Sequence, residues 1–210
     1  MNHLRQIVCI LCIFVPTAFD HNIVAAQTKN GFAPETEQAS AKPGKSVANP
    51  ADVATVDAII AAVYDVISGP AGKKRDWDRM RSLFIPEAKM LAVTHRTPGK
   101  ALRVLDVNGY ISAAGKYFET NSFFERESAR RLEMFGQIAH AFSTYESRHN
   151  ETDARPFERG INSIQLVNDG KRWWIVTIMW DSEQPDNPLP EKYLNSCYAE
   201  KWRMLNLTDG

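Results

Sequence analysis

The chain has 210 residues, 25 Lys+Arg against 25 Asp+Glu, 44% apolar residues and 24% charged ones. That is the mix of an ordinary globular protein, and without a basic excess to offset phosphates no nucleic-acid partner is expected. Three Cys rule out a disulfide scaffold.

Residues 1–26 read as an export signal. Arg5 supplies a positive start, and Ile7 to Val15 (IVCILCIFV) is an unbroken apolar run. It is shorter than the ~20 residues that span a bilayer and suits the core of a secretory signal. Val24 and Ala26 stand at −3 and −1 of a cut before Gln27. The mature protein is then secreted or periplasmic, with no stable membrane insertion once the signal is gone. The cut removes Arg5 and Asp20, leaving 24 basic residues against 24 acidic. It also removes two of the three Cys, so Cys197 is left alone and cannot mispair in an oxidising compartment. Residues 27–48 are rich in Lys, Glu, Gln, Ser, Ala, Pro and Gly, with Phe32 the sole aromatic. They bury too little apolar surface to offset ordering entropy, so a disordered linker is expected. The folded domain is 49–197, and 198–210 is a C-terminal tail.

Three helices are predicted first. Asn49 is a good N-cap, Pro50 suits the first helical position, and Asp52 sits in the first turn. Val53, Val56, Ile60, Val63 and Ile67 then form one apolar stripe, stopped by Ser68-Gly69-Pro70. Asp76 caps a short second helix with Trp77, Met80, Leu83 and Phe84 inward, and Pro86 ends it. A strand over Lys89 to Thr94 and a polar turn at Thr97 to Lys100 come next. Asp106 caps the third helix, which carries Val107, Tyr110, Ile111, Ala114, Tyr117 and Phe118. The period then becomes two. Strands are predicted over Phe123–Leu132, Ile138–Ser147, Phe157–Val167 and Trp173–Asp181, with a type I′ hairpin at Asn168-Asp169-Gly170-Lys171. Helices followed by an antiparallel sheet make an α+β domain.

Four stretches carry a family resemblance: SGPAG at Ser68–Gly72, RDWDRMRSLF at Arg75–Phe84, IAHAFSTYESR at Ile138–Arg148, and RGINSIQLVNDGKRWWIVTIMWDSE at Arg159–Glu183. Over about Asp52 to Leu194 the chain resembles an exported bacterial branch of the nuclear-transport-factor-2-like (SnoaL-like) superfamily. That superfamily includes SnoaL-type polyketide cyclases, ketosteroid isomerase and scytalone dehydratase. The resemblance implies a cone-shaped fold: three N-terminal helices packed on a curved antiparallel sheet that wraps round a pocket. It also implies a homodimer. It does not assign a reaction.

A two-residue turn at Asp169-Gly170 sets the hairpin faces. Leu166 then meets Trp173, Ile164 meets Ile175, Asn162 meets Thr177 and Gly160 meets Met179 on one face. This face is apolar near the turn and polar further away, so Asn162, Thr177 and Met179 are expected in the pocket with Tyr64, Tyr110 and Tyr117. The other face carries Ile161, Trp174, Val176, Ile178 and Trp180, an apolar patch expected at the dimer interface. A one-residue slip would exchange the faces.

His140 is the leading candidate for acid–base chemistry, with Glu146, Glu158, Asp181 or Asp65 as a carboxylate partner. The competing reading is a half-buried sheet histidine bonded to backbone. Tyr145 is the second catalytic candidate, as an oxyanion donor. Arg75 and Arg79 read as structural cap and ion-pair residues more readily than as an anion site. His95, His140 and His149 lack close metal-ligand spacing, so no metal is expected. There is no phosphate loop, GxSxG or dinucleotide fingerprint, so no cofactor is expected either. Two functions are left. One is a non-catalytic module whose pocket binds a small apolar or amphipathic molecule. The other is a cofactor-free isomerase, dehydratase or cyclase using His140 or a pocket Tyr with a carboxylate.

Overall fold

The computed structural model describes residues 47–95 and 101–195. The export signal, nearly all of the linker, the Thr97–Lys100 turn, Cys197 and the tail lie outside the described residues.

The first apolar stripe forms two helices, not one. Asn49 caps α1 (Pro50–Val53), its side chain accepting from the Ala51 amide at 3.1 Å. Thr55 then takes an extended backbone, and its hydroxyl accepts from the Ala58 amide at 3.0 Å, restarting the chain as α2 (Val56–Ile67). A hydroxyl that can satisfy an orphan amide gives the helix a new start. The expected inward residues Val56, Ile60, Val63 and Ile67 are all buried. Asp76 caps α3 (Trp77–Leu83) through the Arg79 amide. Strand β1 (Phe84–Thr94) begins at once, with Pro86 in the irregular stretch where pairing to its neighbour is interrupted. A proline has no amide to give a ladder, so it belongs there. Strand β2 (Ala101–Leu105), which the sequence pattern did not reveal, pairs back on β1. Asp106 caps α4 (Val107–Thr120) through the Gly109 amide at 2.6 Å.

Four long strands follow: β3 (Phe124–Phe135), β4 (Ile138–Arg148), β5 (Glu158–Asn168) and β6 (Trp173–Ser182). The six-stranded sheet has the order β2-β1-β6-β5-β4-β3. β3 to β6 form an antiparallel meander, but β1 lies parallel to β6. The domain is α+β, with a mixed sheet in place of the expected antiparallel one. No hairpin joins β1 to β6, so nothing in the local sequence sets their relative direction.

Helices α2, α3 and α4 pack on one face of the sheet, here called inner. Ile59, Ile60, Met80, Leu83, Ile164 and Ile175 are fully buried there, each contributing about 2 kcal/mol by leaving water. On the outer face a 3-10 turn at Glu191–Tyr193 lies over β3 and β4. Tyr193 stacks on Phe142 at 5.4 Å, and its carbonyl accepts from the Thr144 hydroxyl at 2.6 Å.

The β5–β6 hairpin departs from expectation in two steps. Asn168 pairs with Trp173, leaving a four-residue turn at 169–172. The Asp169 carboxylate accepts from the Lys171 and Arg172 amides at 2.9 Å each, while Asn168 takes the Gly170 amide at 2.8 Å. These side chains satisfy the turn better than a two-residue loop would. Next, Leu166 pairs with Ile175 but Gln165 pairs with Thr177, so Val176 is an extra residue. A bulge of this kind reverses the alternation beyond it. Trp173 and Ile175 face inward, and after the bulge so do Ile178 and Trp180.

Candidate functional site

The inner face and its helices enclose a cavity. α2 supplies Val63, Tyr64 and Ile67, and α4 supplies Tyr110, Ala114 and Phe118. The sheet supplies Glu125, Asn162, Ile164, Ile178 and Trp180, and Phe123 stands just ahead of β3. The free space, measured as room for water centres, is about 30 Å³. That is roughly twice the minimum for one water, so a larger occupant requires the helices to move.

The walls are mostly apolar, and a small set of polar groups converges on them. Tyr64 Oη lies 2.7 Å from Ser143 Oγ on β4. Ser143 gives its own proton to Glu127 Oε1, so Tyr64 is the donor to Ser143. Asn162 Nδ2 donates to Tyr64 Oη at 3.1 Å and leans toward Glu125 Oε1 at 3.5 Å. Ser147 Oγ donates to Glu125 Oε2 at 2.8 Å.

Glu125 is half-buried as a residue, but its carboxyl has lost its water. Burial pushes that carboxyl up to about 7, and the nearby charge of Glu158 pushes the same way. The hydrogen bonds from Ser147 and Asn162 oppose the shift and do not cancel it. The phenols of Tyr64 and Tyr110 are both held well above their usual range, first by burial and then by the Glu125 charge. At neutral pH both are therefore hydrogen-bond donors. A carboxyl that ionises near neutrality, set among neutral phenols in an apolar cavity, can bind a polar group or exchange a proton with it.

Of the residues singled out for a pocket, Tyr64, Tyr110 and Asn162 line this cavity. Tyr117 does not line it; its ring packs edge-on against Phe118 at 5.8 Å. Thr177 and Met179 face away, opposite Gln165 and Ser163, with Met179 44% exposed. Of the five expected interface residues, Ile161, Trp174 and Val176 are half-buried on the outer face. Ile178 and Trp180 are only 4% and 3% exposed and line the cavity instead. The Val176 bulge is the cause of all four corrections on β6.

His140 is on the outer face, outside the cavity. Its Nε2 lies 2.8 Å from Ser163 Oγ, and its ring meets Phe142 edge-to-face at 4.9 Å. The carboxylates considered as its partners are engaged elsewhere. Glu146 pairs with Arg126 and Arg148, Asp65 with Arg79, Asp181 with His95, and Glu158 accepts from Tyr145. Tyr145 is buried on the inner face, its Oη 3.1 Å from Glu158 Oε1, and it does not line the cavity. It occupies space left by Gly160, where an added Cβ would stand 2.5 Å from the Tyr145 hydroxyl.

Arg75 is buried and donates to the carbonyls of Ile67, Gly69, Pro70 and Lys73. Arg79 pairs with Asp52 and Asp65. Both arginines are thus committed to holding the chain. Among the described residues no group of three or more His, Cys, Asp or Glu is placed to hold a metal.

Sequence reasoning missed Glu125. The signal was present: in FFERESARRL, Glu125 shares its strand face with Phe123, so a carboxylate falls where an apolar residue is expected.

No family model and no curated protein matches the chain. Among solved structures it is similar to an NTF-2 like protein of unknown function from Silicibacter pomeroyi, at 15% identity over 62% of this chain and 94% of that one, with a TM-score of 0.41. It is also similar to an NTF2-like protein of unknown function from Shewanella baltica, at 16% identity over 60% and 89%, TM-score 0.40. A third is an uncharacterized protein with a cystatin-like fold from Caulobacter vibrioides, at 13% identity over 72% and 95%, TM-score 0.48. Their descriptions are NTF2-like in two cases and cystatin-like in the third. They assign no function.

Proposed function

We propose that the domain is a binding module that takes a small apolar or amphipathic molecule into the cavity beneath α2 and α4. The observation that carries this is the cavity itself: an aromatic and aliphatic wall with one carboxyl, one amide and two phenols converging on it. Few polar groups in an apolar hollow is the usual make-up of a small-ligand site. In this proposal the helices roof a curved, cone-shaped sheet. Residues 1–26 direct export to the periplasm or the medium. A homodimer forms through the outer face around Ile161, Trp174 and Val176.

A second function has one specific observation in its favour. Glu125 lines the cavity beside Tyr64 and Tyr110, and burial pushes its carboxyl up to about 7, the range in which a general acid–base group is most effective. A cofactor-free isomerase, dehydratase or cyclase would use Glu125 in the role first considered for His140, with Tyr64 or Tyr110 as hydrogen-bond donor.

Native mass spectrometry of the protein purified from its source tests the first proposal. The expected result is a dimer that retains a small molecule. A bare monomer overturns both the binding and the dimer proposals. Trp174→Asp is expected to give a monomer; an unchanged dimer mass would sink the outer-face interface alone.

A further inference from the structure

A single apolar side chain in water needs no explanation, but a cluster of them does. Met134, Phe135 and Ile138, at the turn from β3 to β4, are 51%, 84% and 59% exposed. Phe135 pairs with Ile138 and Met134 with Ala139, so the chain reverses on Gly136 and Gln137. A Cβ added at Gly136 would meet nothing within 4 Å, so this turn stands clear of the domain.

The strand register tells which faces of the tip are apolar. Phe135, Ile138, Val167 and Trp174 form one cross-strand row at the end of the outer face. The next row, Glu133, His140, Gln165 and Thr177, is polar and separates the tip from Phe142. Met134 belongs to the inner face, in the row of the buried Ala139, Leu166 and Ile175. A strand with one solvated face alternates, yet this hairpin end is apolar on both sides. A second copy laid on the outer face would cover Phe135 and Ile138 and leave Met134 in water. A medium that closes round the turn from both sides takes all three. Charge points the same way. Gly136 and Gln137 are uncharged, and beside them Glu133 and Asp169 offset Lys171 and Arg172. A charged macromolecule therefore finds no net charge to hold. The Gln137 carbonyl already accepts from the Asn168 amide at 2.8 Å, which removes one polar group that would resist entry into an apolar medium.

We propose that the β3–β4 turn is a membrane-docking tip, with Met134, Phe135 and Ile138 entering the surface of a zwitterionic lipid bilayer. Three side chains reach only the boundary between headgroups and acyl chains, so the contact is shallow and reversible. It owes nothing to charge, so salt does not weaken it. The docking is independent of what the cavity binds.

Co-sedimentation with phosphatidylcholine vesicles tests this. Wild type, Phe135→Ser and Leu102→Ser are each purified from the source, so that they share one N-terminus. Leu102 is 58% exposed on β2, at the other edge of the sheet, and controls for general stickiness. Both substituted side chains stand in water, and thermal unfolding checks that the variants fold. The wild type is expected to sediment with the vesicles at low and high salt alike. Phe135→Ser is expected to weaken its partition about tenfold, the effect of withdrawing one large apolar side chain from lipid, and Leu102→Ser to leave it unchanged. A wild type that stays in the supernatant overturns the proposal, as does an equal loss in the two variants. If Phe135→Ser halves the native mass and leaves vesicle partition as it was, the tip is a contact between copies and the lipid assignment is wrong. None of these outcomes bears on the cavity, whose retained ligand is read separately.

Discussion

Glu125 and His140 make an instructive pair. They sit on adjacent strands, β3 and β4, and each is bonded to a serine hydroxyl on a neighbouring strand. Glu125 faces inward, where burial pushes its carboxyl to about 7, and among the described residues it is the only carboxyl lining the cavity. His140 faces outward against Phe142 and Ser163. By residue type the histidine is the obvious acid–base group. By location the glutamate is. The face of the sheet, more than the identity of the side chain, decides which of them can do chemistry.

The sharpest way to break this contrast is through the two tryptophans of β6 on either side of the Val176 bulge. Trp180→Ala removes a buried inner ring and is expected to cost about 4 kcal/mol in urea unfolding. Trp174→Ala removes an outer ring held by Arg172 and Asp169, and is expected to cost about 1 kcal/mol. Equal costs would mean that the bulge does not sort them.

Glu125→Gln comes next. The native carboxyl holds its proton more tightly than the unfolded one, so the folded state binds more protons between about pH 4.5 and 7. The native protein therefore loses stability as pH rises through that window. Glu125→Gln removes the loss, and at pH 8 it is expected to be more stable than wild type by about 2 kcal/mol. A flat pH–stability difference between the two proteins would show that Glu125 is hydrated.

Tyr64→Phe deletes the hydroxyl between Ser143 and Asn162 and is expected to cost about 1 kcal/mol, measured by thermal unfolding. Smallest of all, His140→Ala is expected to change stability by about 0.5 kcal/mol and to leave any small molecule retained in native mass spectrometry in place. Its loss would move the functional centre to the outer face.

Much of the architecture was legible because it is written in local periodicity. The four long strands start and stop within a few residues of their predicted bounds, and Asn49, Asp76 and Asp106 cap helices as expected. What was hidden is non-local or a matter of counting. Strand β2 is five residues long and gains its identity only by pairing with β1. The parallel β1–β6 contact joins segments far apart in the chain. One extra residue at Val176 moved Thr177 and Met179 out of the cavity and Ile178 and Trp180 into it, since alternation carries no memory across a bulge. Glu125 was overlooked because a charge on a strand reads as solvent-facing until the strand's inner side is known.

The parallel pairing of β1 with β6 also bears on how the domain is made. The meander from β3 to β6 can assemble from near neighbours, each strand turning back on the last. β1 must wait: the strand it adjoins lies at the other end of the domain. Contacts of such large sequence separation are slow to form, because chain entropy is lost before they stabilise anything. On a chain emerging from its amino end, β1 and β2 appear early as a two-stranded ribbon, too small to be stable alone. Helices α3 and α4 can cover their apolar face, but the free edge of β1 has no partner until β6 follows. The edge of β1 that later receives β6 is thus the segment most exposed to wrong partners during synthesis, and docking of β6 is the step that completes the sheet.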